Sequence, residues 1–131
     1  MDLFSESSSE VISVPGATLV LHRAVALGLA SDALLEELLR DTPWRSGDVV
    51  LFGKRYRQPR LFAWYGDPGA SYRYSGTTLE PLPWTTRLDD LRRRVERLAG
   101  APFNSVLLNY YRDHQDAMGL HADDEPELGD R

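Results

Sequence analysis

A strand-like run followed by a short polar motif constrains this chain most. Residues 103–111 predict a β-strand, and His121-Ala122-Asp123 follows it after a polar turn. Side chains alternate between faces in an extended segment, so an imidazole and a carboxylate two residues apart project together. Non-haem Fe(II) sites use two histidines and one carboxylate on one face of the metal. We interpret His121 and Asp123 as two such ligands, with a solvated turn as the alternative. No histidine follows Asp123 in the sequence.

Composition favours one globular domain. The 131 residues are 42% hydrophobic, which suits a domain with its own core. No apolar run is long enough to span a bilayer, and the acidic start Met1-Asp2-Leu3-Phe4 does not read as a secretory signal, so we expect a cytoplasmic protein without membrane contact. The chain has no cysteine, which excludes disulfides and thiolate ligands. Any metal must be held by His, Asp or Glu.

Charge is distributed unevenly along the chain. The formal net charge is -5, yet residues 44–97 hold 11 basic and 6 acidic side chains, a net charge of +5. A basic segment of this kind can contact several phosphates, whereas a solvated face is the alternative. Its cations outside the second predicted helix are Arg45, Lys54, Arg55, Arg57, Arg60 and Arg73.

Hydrophobic patterning places the first elements. Residues 1–16 are rich in Ser and Glu and end in a Pro-Gly turn, which predicts a flexible lead-in before a strand over 17–21. Ser31 predicts the cap of a helix over 32–40 that buries Leu34, Leu35, Leu38 and Leu39. Residues 44–57 predict a hairpin that turns near Gly53, and 60–65 a separate strand.

The later elements follow similar signals. Residues 72–74 predict a brief extended piece. Thr86 with Asp89 is typical of a capping box, and Gly100 of a helix end. The helix between them is expected to bury Leu88, Leu91, Val95 and Leu98. A polar turn over 113–116 follows the strand over 103–111.

Several motifs together resemble the AlkB family of Fe(II)/2-oxoglutarate-dependent nucleic-acid dealkylases. The resemblance covers about Trp44 to Gly129, and the order and spacing of its motifs are more specific than His-x-Asp alone. The motifs are Pro59-Arg60, Tyr65-Gly66-Asp67-Pro68-Gly69, Tyr72-Arg73-Tyr74-Ser75-Gly76, Pro81-Leu82-Pro83-Trp84, the run 104–113, Gln115-Asp116 and the run 118–129.

The resemblance implies an α+β fold in which N-terminal helices pack on a double-stranded β-helix, a jelly-roll-like core. We expect a single AlkB-like domain over 17–131 that is incomplete, because in the family the second iron histidine and the arginines that bind 2-oxoglutarate come after the segment matched here. Two ligands and no arginine clamp would bind iron and keto acid weakly. Little or no activity is therefore expected of the isolated chain. Poor stability is also expected, because a jelly roll without its second half has unpaired strand edges and an uncovered apolar face.

The resemblance also implies roles for individual residues. His121 and Asp123 would bind Fe(II), and Asn109 and Tyr111 would hydrogen-bond 2-oxoglutarate. The i, i+2 spacing of Asn109 and Tyr111 puts them on one face, although a polar pair at a barrel mouth has the same spacing.

Three further groups would contact the substrate. Phe52, Gly53 and Lys54 resemble a wedge that enters a base stack while the lysine meets phosphate, the alternative being a strand whose apolar residues turn inward. Tyr72, Tyr74 and Ser75 match a base pocket, or simply core packing. Asp124 and Glu125 match acids that contact the exocyclic amine of the base, or form a solvated turn.

The implied reaction is oxidative demethylation of bases such as 1-methyladenine and 3-methylcytosine in DNA repair. It would use Fe(II), 2-oxoglutarate and O2 on methylated DNA or RNA, with a monomeric enzyme. Damaged bases must leave the duplex to react, and damaged pairs flip most easily. Two alternatives remain: a non-catalytic nucleic-acid-binding remnant that keeps the basic segment and Phe52, and an unstable product without function.

Overall fold

A computed structural model describes residues 8–51, 53–74 and 77–116. By internal contacts the chain divides into two compact units, Met1–Arg40 and Asp41–Arg131. The single domain expected over 17–131 stays a prediction. No helix in the described parts is long and apolar enough to cross a membrane. The elements run β1 (Ser8–Val14), β2 (Ala17–Arg23), α1 (Ser31–Asp41), β3 (Arg45–Leu51), β4 (Lys54–Gly66), β5 (Tyr72–Tyr74), β6 (Thr77–Leu79), α2 (Thr86–Ala99) and β7 (Ser105–Tyr110).

The first unit contains an antiparallel hairpin of β1 and β2. Val14 pairs with Ala17 across the Pro15-Gly16 turn, and Gly16 takes a φ of +77°, which glycine adopts without steric cost. The predicted strand and turn are confirmed. β1 differs from the flexible lead-in expected over residues 1–16, because the backbone of Ser8–Val14 pairs along its whole length with β2.

Helix α1 has the predicted position. Asp32 lies in its first turn and Arg40 in its last, the arrangement that the helix dipole favours. Leu34 is buried as predicted, but Leu35 is 57% exposed. Burial of Leu35 was a wrong expectation, since only part of the leucine stripe faces protein.

The second unit contains an antiparallel sheet of three strands in the order β3-β4-β7. The hairpin predicted near Gly53 is confirmed: Leu51 pairs with Lys54, and Gly53 has a φ of +77°. The separate strand predicted over 60–65 is wrong in one respect, because β4 runs unbroken from Lys54 through Pro59 to Gly66.

An irregularity in β4 accommodates that proline. Ser46 pairs with Leu61 and Asp48 with Arg57, so a two-residue step on β3 faces a four-residue step on β4. Proline lacks the N–H that a ladder needs and is tolerated at bulges. The bulge therefore allows β4 to continue past Pro59, so that it pairs with β3 in the hairpin and with β7 farther along.

Strand β4 presents two different faces. The register pairs Phe62 with Asn109 and Trp64 with Leu107, so these side chains share a face of the sheet. We name it the Asn109 face; the register places Phe62, Trp64, Leu107 and Asn109 on it, and we add Arg60 and Tyr111, which lie just beyond the paired residues and are joined by a hydrogen bond. Strands β5 and β6 contribute Tyr72 and Leu79 to a buried cluster with Phe62, packed against Trp64 and Leu107. One end of this face is thus covered by apolar packing.

The opposite face of the sheet holds Ala63 and Tyr65, both buried. Desolvation raises the pKa of the Tyr65 phenol above its ordinary value. Beyond the reach of β3, Leu82 forms a parallel bridge with Tyr65: its N–H donates to the Trp64 carbonyl at 2.9 Å, and its carbonyl accepts from Gly66 N at 3.0 Å. Leu82 therefore closes the end of β4 that β3 leaves unpaired.

The N-cap of helix α2 lies one residue before the predicted cap. Thr85, not Thr86, is the N-cap, and its hydroxyl accepts from Leu88 N at 3.1 Å. Gly100 ends the helix with a φ of +66°, as predicted. Leu88 is buried, but Val95 and Leu98 are 46% and 43% exposed, so the expected burial of these two is wrong.

A polar cluster joins α2 to the loop after β4. Trp84 Nε1 donates to Asp67 Oδ1 at 2.8 Å, and the Arg92 guanidinium lies 4.4 Å from the centre of the Trp84 indole. Arg92 also contacts Asp67 at 3.4 Å and pairs with Asp89. This cluster fixes the loop that begins where β4 ends.

The mixed helix and antiparallel-strand class agrees with the predicted α+β fold. The jelly-roll closure and the packing of N-terminal helices on it stay predictions.

Candidate functional site

The candidate site is built on the exposed end of the Asn109 face. Asn109 lies on β7 opposite Phe62, and Tyr111 lies two positions after Asn109, directly after the end of β7; both are exposed. The amide and the phenol therefore stand side by side on one surface. Because both can donate hydrogen bonds, the pair is chemically suited to a carboxylate.

Arg60 completes this group from the neighbouring strand. Its Nη1 donates to Tyr111 Oη at 2.9 Å, and its guanidinium carbon lies 5.9 Å from the centre of the same ring. Arg60 Nε is buried and has no hydrogen-bond partner among the described residues. The surface thus combines an amide, a phenol and a cation, a donor set that fits a dicarboxylate such as 2-oxoglutarate.

Tyr72 lies on the same side of the sheet but inside the core. It is 8% exposed, and its ring centre is 5.1 Å from that of Trp64. This packing agrees with the alternative that sequence reasoning left open for the tyrosines. For Tyr74 the structure gives the backbone pairing with Thr77, and Ser75 lies outside the described residues.

The hairpin tip presents cations to solvent. Gly53, Lys54, Arg55 and Arg57 are all exposed, and Phe52 lies outside the described residues. Lys54 follows the turn directly, where nothing in the described chain covers it. The geometry suits phosphate contact and leaves the wedge role of Phe52 a prediction.

A polar turn leads from Tyr111 toward the predicted iron ligands. Arg112 Nε donates to Asp116 Oδ2 at 2.8 Å, and the Arg112 backbone N–H donates to the same oxygen at 2.9 Å. The hydrogen bond from the Arg112 side chain holds the pKa of the Asp116 carboxyl below its ordinary value. The predicted turn over 113–116 is confirmed by this closure.

The predicted metal ligands His121 and Asp123, with Asp124 and Glu125, lie outside the described residues. Within residues 8–51, 53–74 and 77–116 no three His, Cys, Asp or Glu side chains come together as a metal site. His22 is half-buried on β2 and His114 is exposed. Neither offers a second imidazole near another ligand in the described chain.

Arg60 is the site residue that sequence reasoning missed. The Pro59-Arg60 motif was part of the resemblance, but it carried no role beyond possible phosphate contact. Arg60 and Tyr111 are 51 positions apart, and only the pairing of β4 with β7 brings them into contact. A Pro-Arg pair inside a strand pattern was the available signal, because proline there marks a bulge that can redirect a side chain.

Comparison with known proteins identifies the family of this chain. The 2OG-Fe(II) oxygenase superfamily matches residues 19–130. The alpha-ketoglutarate-dependent dioxygenase alkB homolog 3 of Rattus norvegicus is 45% identical over 100 residues, covering 76% of this chain and 33% of the rat protein. The Homo sapiens protein of the same name is 44% identical over 100 residues, covering 76% of this chain and 34% of the human protein.

A second group of relatives carries a different name. The DNA oxidative demethylase ALKBH2 of Bos taurus is 44% identical over 101 residues, covering 75% of this chain and 36% of the bovine protein. The chain thus spans about a third of the length of these curated relatives. It belongs to the AlkB family of the 2OG-Fe(II) oxygenase superfamily, a family of Fe(II)- and 2-oxoglutarate-dependent dioxygenases.

Proposed function

We propose that this protein takes part in oxidative demethylation of N-alkylated bases in nucleic acid, of the 1-methyladenine and 3-methylcytosine type, as a step of DNA repair. The observation that carries the proposal is the Asn109–Tyr111 pair beside Arg60 on one exposed face, in a chain 45% identical to a dioxygenase of the AlkB family. Methylated DNA or RNA would be the substrate, with O2 as co-reactant and a cytoplasmic monomer as the acting form.

Asn109 and Tyr111 would hold 2-oxoglutarate by donating hydrogen bonds to its carboxylate oxygens. Both side chains are exposed, so a ligand can reach them without displacing the apolar cluster around Phe62. His121 and Asp123 would hold Fe(II), and together the metal and the keto acid supply the oxidation. The chain itself supplies orientation and local polarity.

The hairpin tip would hold the nucleic acid. Lys54 is exposed directly after the turn, and Arg55 and Arg57 extend the positive charge along β4. These cations would neutralise phosphates while Phe52 enters the base stack, which lowers the cost of extruding a damaged base. Tyr74 and Ser75 would line the base pocket, with Tyr72 supporting it from the apolar cluster around Phe62. Asp124 and Glu125 would accept hydrogen bonds from the exocyclic amine of the base.

Binding of 2-oxoglutarate tests the proposed role of the Asn109–Tyr111 pair. We expect Asn109→Ala to raise the dissociation constant for 2-oxoglutarate by about tenfold, because a hydrogen bond to a charged group is lost. The constant is measured by calorimetry with Mn2+. Asn104→Ala is the matched control: Asn104 is an exposed asparagine directly before β7. Absence of 2-oxoglutarate binding by the unaltered chain, or equal losses in both variants, would contradict the proposal.

Product formation tests the reaction itself. The assay supplies methylated single- and double-stranded DNA, Fe(II) and 2-oxoglutarate, and measures formaldehyde against a His121→Ala control. From the sequence we expect little or no turnover by the isolated chain. Formaldehyde above the control would contradict that expectation and support the dealkylase function directly.

Nucleic-acid binding without catalysis is the second candidate function, which the exposed cations at the hairpin tip favour. It predicts DNA binding that weakens with salt and in Phe52→Ala, and that needs no metal. Binding that requires both metal and 2-oxoglutarate would favour the enzyme instead. No binding at low salt would remove this candidate.

A further inference from the structure

The contact between Arg60 and Tyr111 joins two strands at the candidate site. Nη1 of Arg60 lies 2.9 Å from Tyr111 Oη, and its guanidinium carbon is 5.9 Å from the centre of the phenol ring. The cation therefore contacts the hydroxyl directly, and the ring centre lies at the outer limit of a cation–π distance. This hydrogen bond favours one orientation of Tyr111, which is 44% exposed.

The direction of this hydrogen bond follows from the chemistry of the two groups. A guanidinium carries five N–H donors and no acceptor, so the Tyr111 oxygen must accept. The single phenolic proton is then available for another acceptor. Arg60 thus converts Tyr111 from a freely rotating hydroxyl into a donor with a defined direction.

Local backbone structure supports a positioning role for Arg60. The bulge between Arg57 and Leu61 includes Pro59, directly before Arg60. Bulges redirect side chains, and they are common beside functional sites. Arg60 Nε is buried without a hydrogen-bond partner among the described residues, whereas Nη1 of the same guanidinium donates to Tyr111.

We propose that Arg60 is a positioning residue for 2-oxoglutarate, acting through Tyr111: it fixes the phenol so that the phenolic proton is donated to a carboxylate oxygen of the keto acid. This inference rests on the proposed function, because it takes 2-oxoglutarate as the ligand of the Asn109 face.

A double-mutant cycle tests it by calorimetric titration of the 131-residue chain with 2-oxoglutarate in the presence of Mn2+. We expect Arg60→Met and Tyr111→Phe each to weaken binding about five- to tenfold, and the double variant no more than the stronger single one. Arg60→Lys keeps the charge without the planar fork and should recover only part of the affinity. Arg97→Met, an exposed arginine of α2, is the matched control and should bind as the unaltered chain does.

Two failures can be told apart. If the unaltered chain does not bind 2-oxoglutarate, the proposed function and this inference fall together. If it binds but the losses from Arg60→Met and Tyr111→Phe multiply in the double variant, Arg60 does not act through Tyr111 and only this inference is overturned. Circular dichroism of each variant shows whether a loss of affinity comes from a loss of folding. If Arg60→Met unfolds, the same comparison is made with Arg60→Lys.

Discussion

Arg92 offers the sharpest test of what holds the end of β4 in place. Its side chain is 22% exposed and contacts Asp67, Asp89 and the Trp84 ring, and its Nη1 lies 3.5 Å from the Phe103 carbonyl oxygen. Arg93, the next residue of α2, is 67% exposed and makes an ion pair with Asp89 at 3.0 Å. The two side chains have the same chemistry and belong to the same turn of α2, but they have different surroundings.

The contacts set the expected size of the effect. A partly buried cation over an indole contributes about 1 kcal/mol, and each exposed or partly exposed ion pair about 0.5 kcal/mol. Arg92→Ala should therefore lower the free energy of unfolding by about 2 kcal/mol, which for a chain of this length lowers Tm by roughly 8 °C. Arg93→Ala should cost about 0.5 kcal/mol or less.

Thermal unfolding followed by circular dichroism measures both variants under the same conditions. The cation over Trp84 is screened less by salt than the exposed pair, so the Arg92→Ala loss should persist at high ionic strength. Equal losses for Arg92→Ala and Arg93→Ala would refute the view that the cluster of Trp84, Asp67 and Arg92 fixes the loop after β4.

Two further changes test the sheet itself. Gly66→Ala should destabilise by about 1–3 kcal/mol in urea unfolding, because the added Cβ would lie 2.8 Å from the Asn104 carbonyl oxygen and 2.9 Å from Ser105 Cβ; an unchanged midpoint would contradict this. Burial raises the pKa of Tyr65, so its contribution to stability is complete below about pH 10 and is lost as pH rises through the folded-state pKa. Tyr65→Phe should flatten the alkaline loss seen in unfolding scans, and an unchanged slope would count against the buried phenol as its source.

Local signals in the sequence predicted most of the turns and helix ends. Pro15-Gly16, Gly53 and Gly100 mark changes of direction that the backbone makes with positive φ, a preference carried by single residues. The predictions were wrong where the structure depends on pairing between strands that are far apart in the sequence. A separate strand was predicted over 60–65, but pairing with both neighbours keeps β4 continuous through Pro59.

Some features of the candidate site could likewise be predicted from local sequence, and others could not. The shared face of Asn109 and Tyr111 follows from strand alternation and could be predicted; the register of the sheet includes Asn109, and Tyr111 lies one residue beyond the end of β7. The hydrogen bond from Arg60 to Tyr111 could not be predicted, because it depends on the register between strands that are far apart in the sequence. Burial of Tyr72 likewise depends on Trp64 and Leu79, which no local pattern connects to it.

The unbroken course of β4 sets a minimum size for any ligand that uses the whole surface. From Lys54 at the tip to Arg60 beside Tyr111 the strand extends at most about 20 Å, since each residue advances about 3.3 Å. That length matches about six phosphates along one strand of B-form DNA. Under the proposed function, a ligand that reaches both ends of this length of β4 must be a polymer, because a mononucleotide is too short to bridge them.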